Sequence, residues 1–125
     1  MFNQAVGFWG EQQAAEEYER QGYQVVAKNF RRFPYEIDII LKNQEYIVFC
    51  EVKTRRGSRF GTPAQGVTAK KMQNIRLGAM LYLQEHPSDL QPRMDVCEVY
   101  YHQEKGMLVA DKISIIENAG MTQNP

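Results

Sequence analysis

Asp38 and Glu51 stand thirteen residues apart, and Lys53 follows Glu51 by two. Asp38 belongs to Glu36-Ile37-Asp38, which opens the apolar run Ile39-Ile40-Leu41. Glu51 and Lys53 close the run Tyr46-Ile47-Val48-Phe49-Cys50. Both runs read as buried strands. Residues two apart on a strand share a face. Glu36 therefore shares a face with Asp38, and Glu51 with Lys53, while Val52 turns into the core. If the strands pair through a turn at Asn43-Gln44, then Asp38, Glu51 and Lys53 converge. Two carboxylates and an amine suit metal-assisted phosphodiester hydrolysis: the carboxylates hold Mg²⁺, which keeps waters and accepts phosphate oxygens. The lysine orients water or neutralises developing charge.

The remaining elements must bring these residues together. Asn3 to Gln21 reads as a helix, with Phe8 or Glu11, Ala14, Ala15 and Tyr18 on one stripe and Gly22 as its stop. Strands are expected at Tyr23–Asn29, Glu36–Lys42, Tyr46–Thr54, Arg93–His102 and Met107–Ile116. Arg31 to Tyr35 reads as a connection, and Arg55–Gly66 as a long functional loop. Thr68 is a good N-cap for a helix to about Gln84, with Met72, Met80 and Leu83 in the core. The order α-β-β-β-α-β-β predicts an α/β fold with one mixed sheet flanked by helices. Residues 1–116 are expected to form a single domain, followed by a polar, frayed tail over 117–125.

Composition narrows the function. A chain of 125 residues with 43% hydrophobic and 24% charged residues is that of an ordinary soluble domain. No run of about 18 apolar residues suggests a membrane span. The N-terminus lacks the basic and apolar regions of a signal peptide, so a cytoplasmic protein is expected. Cys50 and Cys97 read as buried reduced thiols. A net charge of zero argues against a protein that coats nucleic acid generically. The distribution says more: Val52 to Gln84 holds seven basic residues and no acidic one. Lys28, Arg31 and Arg32 form a second basic cluster just before the first acids. Basic segments on both sides of a carboxylate site suit a polyanionic substrate. Arg31, Arg55, Arg56, Arg59 and Lys71 are the expected phosphate contacts, which position a nucleic acid without reading its sequence.

The acid, thirteen residues and Glu-x-Lys resemble the PD-(D/E)-x-K nuclease superfamily. More of the chain looks like the YraN-type family of bacterial proteins: Gly7-Phe8-Trp9-Gly10-Glu11, Ala14-Ala15, Gly22-Tyr23, Asn29-Phe30-Arg31, Glu36-Ile37-Asp38 and Val48 to Arg55. Phe60-Gly61, Val67-Thr68 with Lys71, Ala79 with Tyr82-Leu83, and Arg93 to Val96 continue the likeness in order. It implies a restriction-endonuclease-like, resolvase-like α-β-β-β-α-β core. It also implies a Mg²⁺ or Mn²⁺ site with Asp38, Glu51, Glu11 and the carbonyl of Val52 as ligands and Lys53 as the catalytic lysine. The implied substrate is DNA, branched or flapped, in repair or recombination, and the implied assembly is a two-fold homodimer. The chain departs from the family at Tyr35, where a glycine is usual, and at Cys50, where valine is usual.

Each residue also has a plainer role open to it. Asp38 could be a strand-end acid paired with arginine, Glu11 an exposed helix acid, and Lys53 a salt-bridge partner of Glu51. Glu36 could be structural. Phe8 and Trp9 read as packing residues, and Asp95 as structural. Two rival functions follow. One is a non-catalytic nucleic-acid-binding module on the nuclease fold. The other is a protein adaptor, expected to show an exposed apolar patch around Phe2, Phe8 and Trp9.

Overall fold

A computed structural model describes residues 2–57 and 68–119. Helix α1 (Phe2–Arg20) is followed by strands β1 (Gln24–Arg32), β2 (Tyr35–Lys42) and β3 (Tyr46–Arg56), helix α2 (Ala69–Glu85), and strands β4 (Gln91–Glu104) and β5 (Met107–Ile116). The strands form one sheet in sequence order. Only β3 and β4 are parallel neighbours, as expected across a helical crossover. The mixed α/β architecture matches the sequence expectation. Among the described residues, no helix is long and apolar enough to cross a membrane.

Strand alternation divides the core into two layers. Ile37, Ile40, Ile47, Phe49, Met94 and Val96 face Met72, Ile75, Ala79 and Tyr82 of α2. Ile39, Leu41, Val48, Cys50, Cys97 and Val99 face Ala14, Ala15 and Tyr18 of α1. The second layer is tied by the carboxylate of Asp95, which has no exposed surface. It accepts the Tyr18 hydroxyl at 2.8 Å, Arg93 Nε and Nη2 at 3.0 and 2.9 Å, and the Asn118 N–H at 3.1 Å. Asp95 is thus the structural acid that the sequence suggested.

Several boundaries differ from the sequence reading. Arg31 and Arg32 extend β1, so Phe33-Pro34 alone turns the chain into β2. The ladder pairs Arg32 with Tyr35, and a hairpin is completed where a longer connection was expected. Arg55 and Arg56 belong to β3 rather than to a loop, since both continue the parallel ladder against Tyr100 and Tyr101. The rest of the expected loop, including Arg59, lies outside the described residues. Met80 is 54% exposed and is not core, whereas Met72 is buried and Leu83 packs at the core's edge. Glu117 to Ala119 are not frayed: the Ala119 N–H bonds the Met94 carbonyl at 2.9 Å. Thr68 caps α2 as expected, its hydroxyl accepting the Lys71 N–H. Both cysteines are free and buried, and burial pushes their thiols up, that of Cys97 to about 12.

Helix α1 reaches β3 by a close approach. A Cβ on Gly10 would overlap Thr54 Oγ1 and stand 3.0 Å from Thr54 Cβ. Gly10→Ala is therefore expected to push α1 off β3 and to destabilise the fold by roughly 1–3 kcal/mol, the usual cost of overpacking. Thermal melting checks this, and Thr54→Ala in the same chain should restore part of the loss.

Candidate functional site

The ladder between β2 and β3 ends at Ile39↔Cys50, although β2 reaches back to Tyr35 and β3 forward to Arg56. β2 stays with β1 and β3 stays with β4. The sheet therefore forks just where Asp38 and Glu51 leave the paired region. The alternation of β2 also slips here, because Ile37 and Ile40 share the α2 layer while Ile39 and Leu41 share the other. Opposite, Asn29 takes a left-handed φ of 52°, a conformation that asparagine tolerates better than most residues.

Asp38 bridges the fork. Its Oδ2 accepts the Val52 N–H at 2.8 Å, replacing a ladder bond that the splayed strands cannot make. Glu51 is buried, with Lys71 Nζ at 3.5 Å and Lys53 Nζ at 3.9 Å from its Oε2. The structure thus brings together Asp38, Glu51, Lys53 and the N-terminus of α2 through Lys71. Glu11 approaches over the other face from α1. Among the described residues, no three His, Cys, Asp or Glu groups are close enough to hold one ion, so Glu11 does not join Asp38 and Glu51 in a ready ligand set. Glu11 is nevertheless near enough for the Asp38 charge to act on it.

The site is electrostatically undercompensated. Burial first, then the charge of Asp38, raises Glu51 to about 7 even though two lysines face it. Burial raises Asp38 as well, against the opposing Val52 hydrogen bond. Burial and then Asp38 carry Glu11 to about 7. The donors are all oxygens, the ligand class that Mg²⁺ and Mn²⁺ take. Buried carboxylates that repel one another gain by accepting a dication, so these residues fit such an ion.

A stability prediction follows for the metal-free chain. A carboxylate with a raised folded pKa binds its proton more tightly when folded. Stability from this source is fully present at acid pH and is lost as pH rises from about 4.5 to about 7. Glu51→Gln cannot lose it. The variant is expected to outlast the wild type at pH 8 by on the order of 1–3 kcal/mol, with the gap closing towards pH 5. Melting curves across pH check this, and a gap that widens in acid would contradict it.

The expected phosphate contacts separate into two kinds. Arg31 is exposed, with a loose 3.5 Å pair to Glu36, and Arg56 is exposed. Arg55 is half-buried: its Nε donates to buried Glu98 at 3.1 Å, and its Nη2 is buried. Lys71 is engaged by Glu51. Glu98 itself was not singled out from the sequence, because its place beside Arg55 depends on the β3–β4 register. Tyr35 lies against Gly78 of α2: a Cβ added to Gly78 would sit 3.4 Å from Tyr35 Cβ. Of the aromatic patch, Phe8 is exposed, whereas Trp9 packs edge-on against Tyr101 at 5.8 Å. The side chain of Phe2 lies outside the described residues.

Comparison with known proteins gives one consistent result. The profile of the uncharacterised protein family UPF0102 matches residues 10–99. A UPF0102 protein of Symbiobacterium thermophilum is 47% identical over 75% of this chain and 80% of its own length. One from Caldanaerobacter subterraneus is 40% identical over 91% and 93%. One from Caldicellulosiruptor saccharolyticus is 36% identical over 95% and 99%.

Proposed function

The chain belongs to the uncharacterised protein family UPF0102, the endonuclease-like YraN-type family, and from that premise we propose that it is a Mg²⁺- or Mn²⁺-dependent endonuclease of the cytosol. It hydrolyses phosphodiester bonds in DNA, branched or flapped, in repair or recombination. The observation that carries this reading is the fork between β2 and β3, where Asp38 and Glu51 meet Lys53 and Lys71.

Asp38 and Glu51 would hold the metal with the Val52 carbonyl, and Glu11, which stands outside their ready ligand set, would join as a ligand or position water. When bound, a divalent ion supplies Lewis acidity at a phosphate oxygen and lowers the pKa of a bound water. Lys53 orients the attacking water and offsets charge as it builds on the phosphate. Lys71 holds Glu51 in place. Arg31 and Arg56 hold the backbone beyond the cut, with Arg59 as a further contact. Arg55 braces β3 through Glu98. Cutting two symmetric strands would take a two-fold dimer.

A labelled four-way junction, flap, duplex, single strand and RNA, each offered with Mn²⁺ or with EDTA, test the reading. Cutting confined to the Mn²⁺ arm is expected, and the preferred substrate gives its class. No cutting of any substrate would shift the reading to a non-catalytic binding module, which is favoured by the lack of a ready three-carboxylate set among the described residues. Such a module should keep its DNA affinity in Asp38→Asn.

A further inference from the structure

Among the described residues, nothing crowds Gly7 and requires a glycine there. Glycine inside a helix weakens it, and is expected where something must come close. Gly10 has Thr54 and Gly78 has Ile37 as such neighbours, but a Cβ on Gly7 would meet nothing within 4 Å. Among the described residues, Gly7 instead faces open space. It lines two cavities, of about 310 and 380 Å³, that meet at Gly7 and Glu11. The first contains Val52, Lys53 and Thr54 at the fork and ends at Tyr101. The second is bordered by Gln4, Phe8, Asn29 and Arg31, on the β1 side of the fork. Both are open grooves on the surface rather than enclosed pockets.

The contents of the second cavity have a consistent chemistry. Phe8 is 58% exposed, a bare aromatic face beside the opening. Arg31 is an exposed cation whose one ion pair among the described residues is a loose contact with Glu36, and whose charge also acts on Glu11. Gln4 and Asn29 are exposed amides that can donate and accept. An aromatic face with a cation and amides is how unpaired nucleotides are held. A base inside a duplex could not reach Phe8 while keeping its stack.

We propose that this second cavity takes one unpaired nucleotide of the strand being cut. Its base stacks on Phe8 and its phosphate meets Arg31. The sugar–phosphate chain passes over the bare Cα of Gly7 towards Glu11 and the fork. The proposal rests on the nuclease reading and names its substrate: DNA with a single-stranded segment beside the scissile bond, such as a flap.

The test is fluorescence anisotropy of the full chain with a labelled duplex bearing a short oligothymidine flap, in EDTA so that nothing is cut. Gly7→Leu fills the passage, and Phe8→Ala removes the stacking face. Both are expected to weaken flap binding by roughly 10-fold, within the effect of losing one stacked base. Gly7→Leu should melt at or above the wild-type temperature, since leucine is the better helix former. Gln44→Ala, at the opposite end of β2 and β3, should bind as the wild type. If Gly7→Leu fails to fold, Phe8→Ala decides alone, its side chain being exposed. Flap binding unchanged in folded variants overturns the proposal, as does equal wild-type affinity for flapped and plain duplex. A wild type that shows the expected binding but never cuts supports the subsite and removes the nuclease reading. One that cuts flapped and plain duplex equally, with Phe8→Ala unaffected, overturns the subsite alone.

Discussion

Asp38→Asn is expected to reduce Mn²⁺-dependent cleavage by roughly 10³-fold or more, while leaving the chain folded. Loss of a residue that merely orients a metal ligand typically costs about 10–100-fold, and Asp38 is placed to be a ligand itself. The fold should survive because asparagine keeps a side-chain oxygen to accept the Val52 N–H, the bond that closes the fork. The metal-free variant should even gain stability at pH 8. Asp38 is the second cause, after burial, of the raised Glu51 and Glu11 carboxyls. Removing its charge relieves both. An inactive but more stable protein is the mark of a site that trades stability for function. Single-turnover cleavage with parallel melting reads both effects. An Asp38→Asn protein that cuts at the wild-type rate would remove Asp38 from the site.

Asp95→Ala is expected to give the largest loss of stability, about 3–5 kcal/mol. The Arg93 side chain is only 4% exposed and would lose both of its bonds to the carboxylate. The Tyr18 hydroxyl and the Asn118 N–H would lose theirs too. Most of the cost is the buried cation left behind rather than the strength of the pair. Arg93 still touches the Tyr23 hydroxyl at 2.8 Å and the Tyr46 ring at 4.7 Å, and its Nη1 keeps the exposed Glu117 carboxylate at 3.6 Å, which soften the loss without replacing the buried, bidentate partner. Denaturant unfolding of Asp95→Ala, Arg93→Met and the double variant separates these terms. The double variant should be less damaged than the sum of the two single ones. Strict additivity would show that the two residues do not act as a unit.

Much of the fold was legible because the strands carry strong signals. The runs at Ile39–Leu41 and Ile47–Cys50 are apolar enough to be buried on both faces, and Asn43 to Glu45 is a clear turn. Asp38, Glu51 and Lys53 were legible as acids and an amine at the ends of those runs. What the sequence could not give was register between distant segments. Glu98 meets Arg55 only because β3 and β4 run parallel, with Lys53 opposite Glu98. An arginine expected as a phosphate contact therefore also braces β3 against β4 through Glu98. Met80 reads as core by its apolar type, but helical spacing turns it away from the buried stripe of Met72, Ile75, Ala79 and Tyr82, and the side chain stays outside. The slip in β2 and the early end of its ladder with β3 leave no mark in the apolar pattern, yet they open the fork. The close approach at Gly10 was equally hidden, since only the partner Thr54 explains that glycine.

The central claim is that the fork between β2 and β3 is a divalent-cation site built on Asp38 and Glu51. The most direct test is the melting temperature of the wild type and of Asp38→Asn at pH 8 across a Mn²⁺ titration. A ligand that binds only the folded state raises stability by about 2.7 kcal/mol at a hundred times its dissociation constant. The expected result is a wild type that starts lower and climbs with Mn²⁺, beside an Asp38→Asn protein that starts higher and stays flat. A wild type indifferent to Mn²⁺, or a variant that climbs equally, would contradict the assignment of the ion to this fork.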